Sequence, residues 1–182
     1  MRRWCLPAAA LLLCAAGAAP VLRPTRDVDV TYAMDAGGGR TVQERLRWSV
    51  ALRMLRVDPP SPGLYVIIDR SAGRMRVVRM ADRTVTETAA PDNVAGVSED
   101  AAAHAVRQGT EMVAGLACTD WNMPDAAGEP VTVCLTDDGV LLRAAAGART
   151  LLTATTVQYG AVDPSVFQVP PGYAASSPET RK

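Results

Sequence analysis

Between Arg45 and Met54 large apolar side chains recur at every second position: Leu46, Trp48, Val50, Leu52 and Met54 are separated by Arg47, Ser49, the small Ala51 and Arg53. A repeat of two is the period of a β-strand and cannot line one face of a helix, so this stretch commits the chain to a sheet with an apolar face and an arginine-bearing face. The alternation predicts one long strand, with Leu46, Trp48, Val50 and Leu52 on the covered side and Arg45, Arg47 and Arg53 toward solvent. Other runs carry a strand signature too: residues 28–34, 64–69, 75–80, 84–88, 111–122, 131–136, 140–145 and 149–159 are rich in β-branched or alternating apolar residues. Gly37-Gly38-Gly39, the Pro59 to Gly63 stretch, Arg70-Ser71-Ala72-Gly73 and Asp137-Asp138-Gly139 punctuate them with turn chemistry. The pattern describes a meander of antiparallel strands.

One segment breaks the pattern. Residues 92–108 concentrate Ala101, Ala102, Ala103, Ala105 and Val106, and predict a helix capped by Ser98, with Glu99 and Asp100 at its positive end and Gly109 as its stop.

The start of the chain has the three parts of a secretory leader: Arg2 and Arg3, an apolar core from Leu6 to Cys14, and a small-residue tail in which Ala16 and Ala18 predict cleavage after residue 18. The apolar core is far shorter than the roughly 20 residues needed to span a bilayer. The expected organisation is a signal peptide over 1–18, a single β-rich domain over 19–173 and a disordered tail over 174–182, exported to the periplasm as a monomer. Without the leader, 17 basic residues face 19 acidic ones, a net charge of about −2. Ten arginines lie between Arg40 and Arg83, but the only lysine is Lys182 and aromatic residues make up 4% of the chain, so a nucleic-acid surface is not expected.

Export also decides how the cysteines read. Cys5 and Cys14 fall in the leader, which leaves Cys118 and Cys134 as a pair for one structural disulfide. A hairpin with Cys118 opposite Cys134 also sets Trp121 opposite Val131. It sorts Cys118, Asp120, Asn122, Thr132 and Cys134 onto one face and Trp121, Val131, Val133 and Leu135 onto the other. Catalytic and cofactor signals are weak. His104 is the only histidine and cannot assemble a zinc site, no Gly-x-Ser-x-Gly elbow is present, the triple glycine lacks the lysine of a phosphate loop, and Asp137-Asp138 is explained by its turn. No enzyme activity, cofactor or metal is expected.

Short segments resemble a known family. Glu44-Arg45-Leu46-Arg47-Trp48, Tyr65-Val66-Ile67-Ile68-Asp69-Arg70, Val133-Cys134-Leu135-Thr136-Asp137-Asp138-Gly139-Val140 and the ending Asp163-Pro164-Ser165-Val166-Phe167-Gln168-Val169-Pro170-Pro171-Gly172-Tyr173 are similar to uncharacterised exported proteins of the lipoprotein-localisation-factor (LolA/LolB-like) superfamily. The resemblance implies a mainly β (α+β) fold: a curved antiparallel sheet or half-barrel, with one or two short helices on its concave side. It further implies a non-catalytic binding or carrier protein for a lipid, acyl chain or other hydrophobic ligand. The alternative is a structural or partner-binding envelope protein with no small ligand. The residues expected to line the groove are Trp48, Leu52, Tyr65, Ile67 and Trp121.

Overall fold

A computed structural model of the chain describes residues 19–91, 93, 94 and 97–176. The expected leader and cleavage site, like residues 177–182, lie outside the described residues. The strands are β1 (Val28–Asp35), β2 (Thr41–Ser49), β3 (Met54–Asp58), β4 (Leu64–Asp69), β5 (Arg74–Arg79), β6 (Thr84–Ala89), the two-residue pair β7 (Asn93–Val94) and β8 (Val97–Ser98), then β9 (Val106–Val113), β10 (Leu116–Pro124), β11 (Pro130–Leu135), β12 (Leu141–Ala146), β13 (Arg149–Tyr159) and β14 (Ala174–Ser176). Twelve of them form one curved, unclosed sheet in the order β14-β6-β5-β4-β3-β2-β1-β13-β12-β11-β10-β9. Two meanders, β1 to β6 and β9 to β13, are joined where β13 pairs antiparallel with β1. Among the described residues no helix is long and apolar enough to cross a membrane.

The expected long strand is a hairpin. Strand β2 stops at Ser49, Val50 to Arg53 make the turn with Arg53 at φ 52°, and β3 runs back so that Trp48 faces Leu55 and Leu46 faces Val57. Val50 and Leu52 therefore sit on the turn, each 38% exposed. Alternation in sequence continues through the turn, so the period alone does not reveal where the strand reverses. A second hairpin splits the expected strand 111–122. Ala114 and Gly115 both take positive φ, 50° and 78°, and form the two-residue turn that pairs Val113 with Leu116.

The expected helix over 92–108 shrinks to one turn, α1 (Glu99–Ala102), with the Ser98 hydroxyl accepting from the Ala101 amide at 3.2 Å. From Val106 onward the chain joins β10 as an edge strand instead. A short alanine-rich stretch is a marginal helix by itself, and pairing to β10 wins the remaining residues. The tail also departs from expectation at its start: residues 174–176 are ordered as β14, parallel to β6.

The hairpin of β10 and β11 carries the Cys118–Cys134 disulfide, with Cα atoms 5.4 Å apart. Its register differs by two residues from the one expected: Asp120 faces Cys134 and Trp121 faces Val133, and the disulfide links diagonal neighbours. A slip of two preserves the period, so the expected division of faces stands.

Alternation gives β4 two apolar faces, which its neighbours β3 and β5 extend unequally. Leu55, Val57, Val66 and Ile68 share one, whereas Tyr65, Ile67 and Val78 occupy the other. The segment after β13 crosses this second face. Its 3-10 turn (Pro164–Phe167) buries Phe167, and Val169 and Tyr173 pack on the cluster of Tyr65, Ile67 and Val78. Arg56 fastens the strap: its guanidinium donates to the Val166 carbonyl at 2.8 Å and lies 3.8 Å over the Tyr65 ring. Asp58 accepts from both Arg56 and Arg47, whose side chains are only 18% and 13% exposed. Burial pushes the Asp58 carboxyl up, but the two guanidinium donors outweigh it and hold it below the usual range. Arg47 is thus not the solvent-facing residue the alternation predicts.

These contacts set expectations for stability. Asp58→Ala leaves Arg47 and Arg56 directly opposed on neighbouring strands and should cost on the order of 1–3 kcal/mol in urea melts. Arg45→Ala, which removes a half-exposed pair with Asp29, should cost less than about 1 kcal/mol. Because the folded-state pKa of Asp58 is depressed, its contribution is full above about pH 4 and fades as pH falls through the folded value. Reducing the disulfide, or replacing both cysteines by serine, should lower stability by roughly 3 kcal/mol, given a closed loop of about 15 residues.

Candidate functional site

On the face opposite the strap the curved sheet forms a partly open cavity of about 430 Å³. Its floor is built by alternation: Val28, Val30, Tyr32 and Met34 project from β1, and Glu44, Leu46 and Trp48 project from β2 directly across from them. Leu55, Val57 and Ile68 extend the floor through β3 and β4, and Leu141, Ala144, Leu151 and Leu152 close it from β12 and β13. The lining is almost wholly apolar, and the size suits a small hydrophobic molecule.

The chain entering β1 makes one wall. Leu22, Arg23 and Pro24 line the cavity because this segment is tied to the turn between β11 and β12. The Thr25 amide donates to the Asp138 carbonyl at 2.9 Å, Arg26 stacks 4.1 Å from the Tyr159 ring centroid, and the Tyr159 hydroxyl donates to the Asp138 carboxylate at 3.0 Å. Gly139 permits the approach: at φ +85°, a Cβ there would stand 2.3 Å from the Arg23 carbonyl oxygen.

Charge enters the lining at three residues. Arg70 donates to the Pro91 carbonyl, and both Arg70 and Arg23 hold partners. Glu44 is different: among the described residues it has neither a hydrogen bond nor an ion pair, and burial pushes its carboxyl above the usual range. Its cross-strand neighbour Tyr32 does not serve it, since the Tyr32 hydroxyl donates to the Leu141 carbonyl at 2.8 Å. Burial, reinforced by the Glu44 charge, keeps that hydroxyl protonated far above the usual tyrosine range. Trp48 is 7% exposed and its Nε1 has no hydrogen-bond partner among the described residues.

Of the five residues expected to line a groove, the structure brings only Trp48 to this cavity. Leu52 lies on the β2–β3 turn. Tyr65 and Ile67 occupy the opposite face under the strap, where the Tyr65 hydroxyl reaches the Gln168 carbonyl at 3.3 Å. Trp121 packs beside Met123, Val131 and Val133 in a cluster that also takes in Val97 and Ala101. Sequence reasoning missed Val28, Val30 and Tyr32, although their own alternation in β1 is a readable signal; it missed Glu44 because nothing in the sequence marks a carboxylate as facing an apolar cavity. Away from the cavity, Glu111, Cys118 and Cys134 bring potential metal-binding atoms within 4.8 Å of one another. Both sulfurs are tied in the disulfide, and Glu111 pairs with Arg143 at 2.9 Å, which leaves no thiolate to bind an ion.

The fold defines the chain as a curved, open β-sheet protein, and solved structures of that kind resemble it. An uncharacterised conserved protein from Thermus thermophilus matches with a TM-score of 0.60 at 10% identity, over 84% of this chain and 91% of that one. MucB matches with a TM-score of 0.56 at 14% identity, over 82% of this chain and 59% of its own. The MucA/MucB complex of Pseudomonas aeruginosa matches with a TM-score of 0.53 at 15% identity, over 80% and 56%. The chain thus spans a little over half the length of the MucB chains it matches. These likenesses show a shared fold. The chain matches no protein-family model and none of the curated proteins.

Two measurements test the site's construction. Gly139→Ala drives a Cβ into backbone and should lower stability by about 1–3 kcal/mol, with faster amide exchange at Thr25. Glu44→Gln removes a carboxylate whose folded-state pKa is raised, so ionisation of Glu44 opposes folding above that pKa. The variant should melt higher than wild type at pH 7.5, and the gap should close as the pH is lowered through the glutamate range.

Proposed function

We propose that the protein is an exported, non-catalytic binding protein of the cell envelope that acts on a partner protein. The reading is carried by the fold it shares with MucB, a protein solved in complex with MucA(peri). The free end of the sheet supports it: β9 is the terminal strand, and it leaves Val106 57% and Met112 67% exposed. Such an edge offers unpaired backbone groups and apolar side chains to an extended partner segment. A photo-reactive residue at position 112, introduced in cells, should cross-link to one envelope protein, whereas the same residue at the β1–β2 hairpin tip, Gly38, should not. Equal labelling at both positions, or none at either, defeats the reading.

A second reading is favoured by the apolar cavity: the protein binds a lipid or acyl chain there, with Trp48 among the contacts and a fold relationship to lipoprotein-localisation factors. Native mass spectrometry of protein purified from its own envelope tests it directly. A copurifying lipid-sized mass supports it, and a bare chain under gentle extraction counts against it.

A further inference from the structure

The polar content of the cavity narrows what it selects. Glu44 and Trp48 lie on the same face of β2, four residues and thus about 13 Å apart along the strand. Trp48 is deeply buried, whereas Glu44 is only partly covered, so the carboxylate marks the wetter end of an apolar channel floored by Leu46, Val30 and Leu55. The lining guanidinium groups already hold partners, and Glu44 holds none among the described residues. An ionised carboxylate facing an apolar cavity is best compensated by a cation arriving with the occupant.

We propose that the cavity binds a single-chain amphiphile whose polar end is a protonated amine, with the amine against Glu44 and the chain running over Val30 and Leu46 toward Trp48. The proposal rests on the second of the two readings above and adds the head-group chemistry. A peptide with a lysine is the competing occupant, but it would carry an amide N–H and carbonyl at every residue into a lining that offers few partners, each costly when left unpaired. An alkyl chain brings none. A fatty acid would set its carboxylate beside Glu44, and like charges exclude one another.

The test uses purified, delipidated protein and calorimetric titration at pH 7.5 and low salt with dodecylamine, dodecanoate and dodecanol, each below its micellar concentration. Dodecylamine should bind at least about tenfold more tightly than dodecanoate. Glu44→Gln should bring the two within about twofold while leaving dodecanol unchanged, and Glu44→Lys should reverse their order. Lowering the pH so that Glu44 protonates should weaken dodecylamine binding to wild type, which gives a second measurement that needs no variant. If dodecanol binds but wild type shows no preference for the amine, or the preference survives in Glu44→Gln, the head-group assignment is overturned while the hydrophobic cavity stands. If none of the three binds, both fall. Tighter binding of an apolar, lysine-bearing peptide than of dodecylamine overturns the lipid assignment in favour of the peptide.

Discussion

The docking of the C-terminal strap through Arg56 decides which face of the sheet is free. Strand β4 is apolar on both sides, and a strand of this kind is stable only if each side is covered. Residues 164–176 cover one side, burying Phe167 and placing Val169 and Tyr173 over Tyr65, Ile67 and Val78. Arg56 joins the layers by three interactions at once: the Val166 carbonyl, the Asp58 carboxylate and the Tyr65 ring. A guanidinium suits this role because its planar fork can stack and donate together, whereas a lysine could not. With that side satisfied, the side carrying Leu55, Val57 and Ile68 becomes the cavity floor.

The cover on that floor is thin, and the sequence explains why. Among the described residues between β6 and β9, Pro91 reaches the lining, but the one helical turn buries Ala101 and Ala102, and Ala101 packs with Met123, Val131 and Val133 rather than over β1 to β4. The N-terminal stretch adds Leu22 and Pro24 at one wall, held by the Asp138 turn. Among the described residues, no aromatic side chain reaches in from above. Apolar surface in contact with water costs roughly 25 cal/mol per Å², a cost that the occupant proposed above would relieve.

Much of this architecture is readable from the residues, and the failures have identifiable causes. Alternation in 28–34 and 45–49 locates strands whose inward residues do line the cavity. It fails at 50–53 because the apolar alternation runs unbroken through a turn made by Arg53, a residue type that does not announce a positive φ. In Leu64 to Asp69 both phases are apolar, so choosing Tyr65 and Ile67 over Val66 and Ile68 requires the register with Leu55, which is a long-range fact. The alanines at 101–105 favour a helix locally, yet the edge of β10 recruits the residues after them, and pairing outweighs propensity. The disulfide is legible as a pairing because only two cysteines follow the expected leader. Its register is not, since a shift of two residues satisfies the same face pattern.

The position of Glu44 is where the fold departs from an apolar cavity lining. In β2 the inward phase reads Val42, Glu44, Leu46, Trp48, so the carboxylate interrupts an otherwise apolar series at the residue opposite Tyr32. A tyrosine there could neutralise it by hydrogen bonding, but curvature brings the Leu141 carbonyl of β12 within 2.8 Å of the Tyr32 hydroxyl, across the intervening strand β13. The same bend that forms the cavity thereby commits the Tyr32 hydroxyl to Leu141 rather than to Glu44. Retaining an ionisable group in that setting lowers stability at neutral pH, whereas an apolar residue would complete the floor. In the proposed complex an ammonium head group against Glu44 would offset that cost.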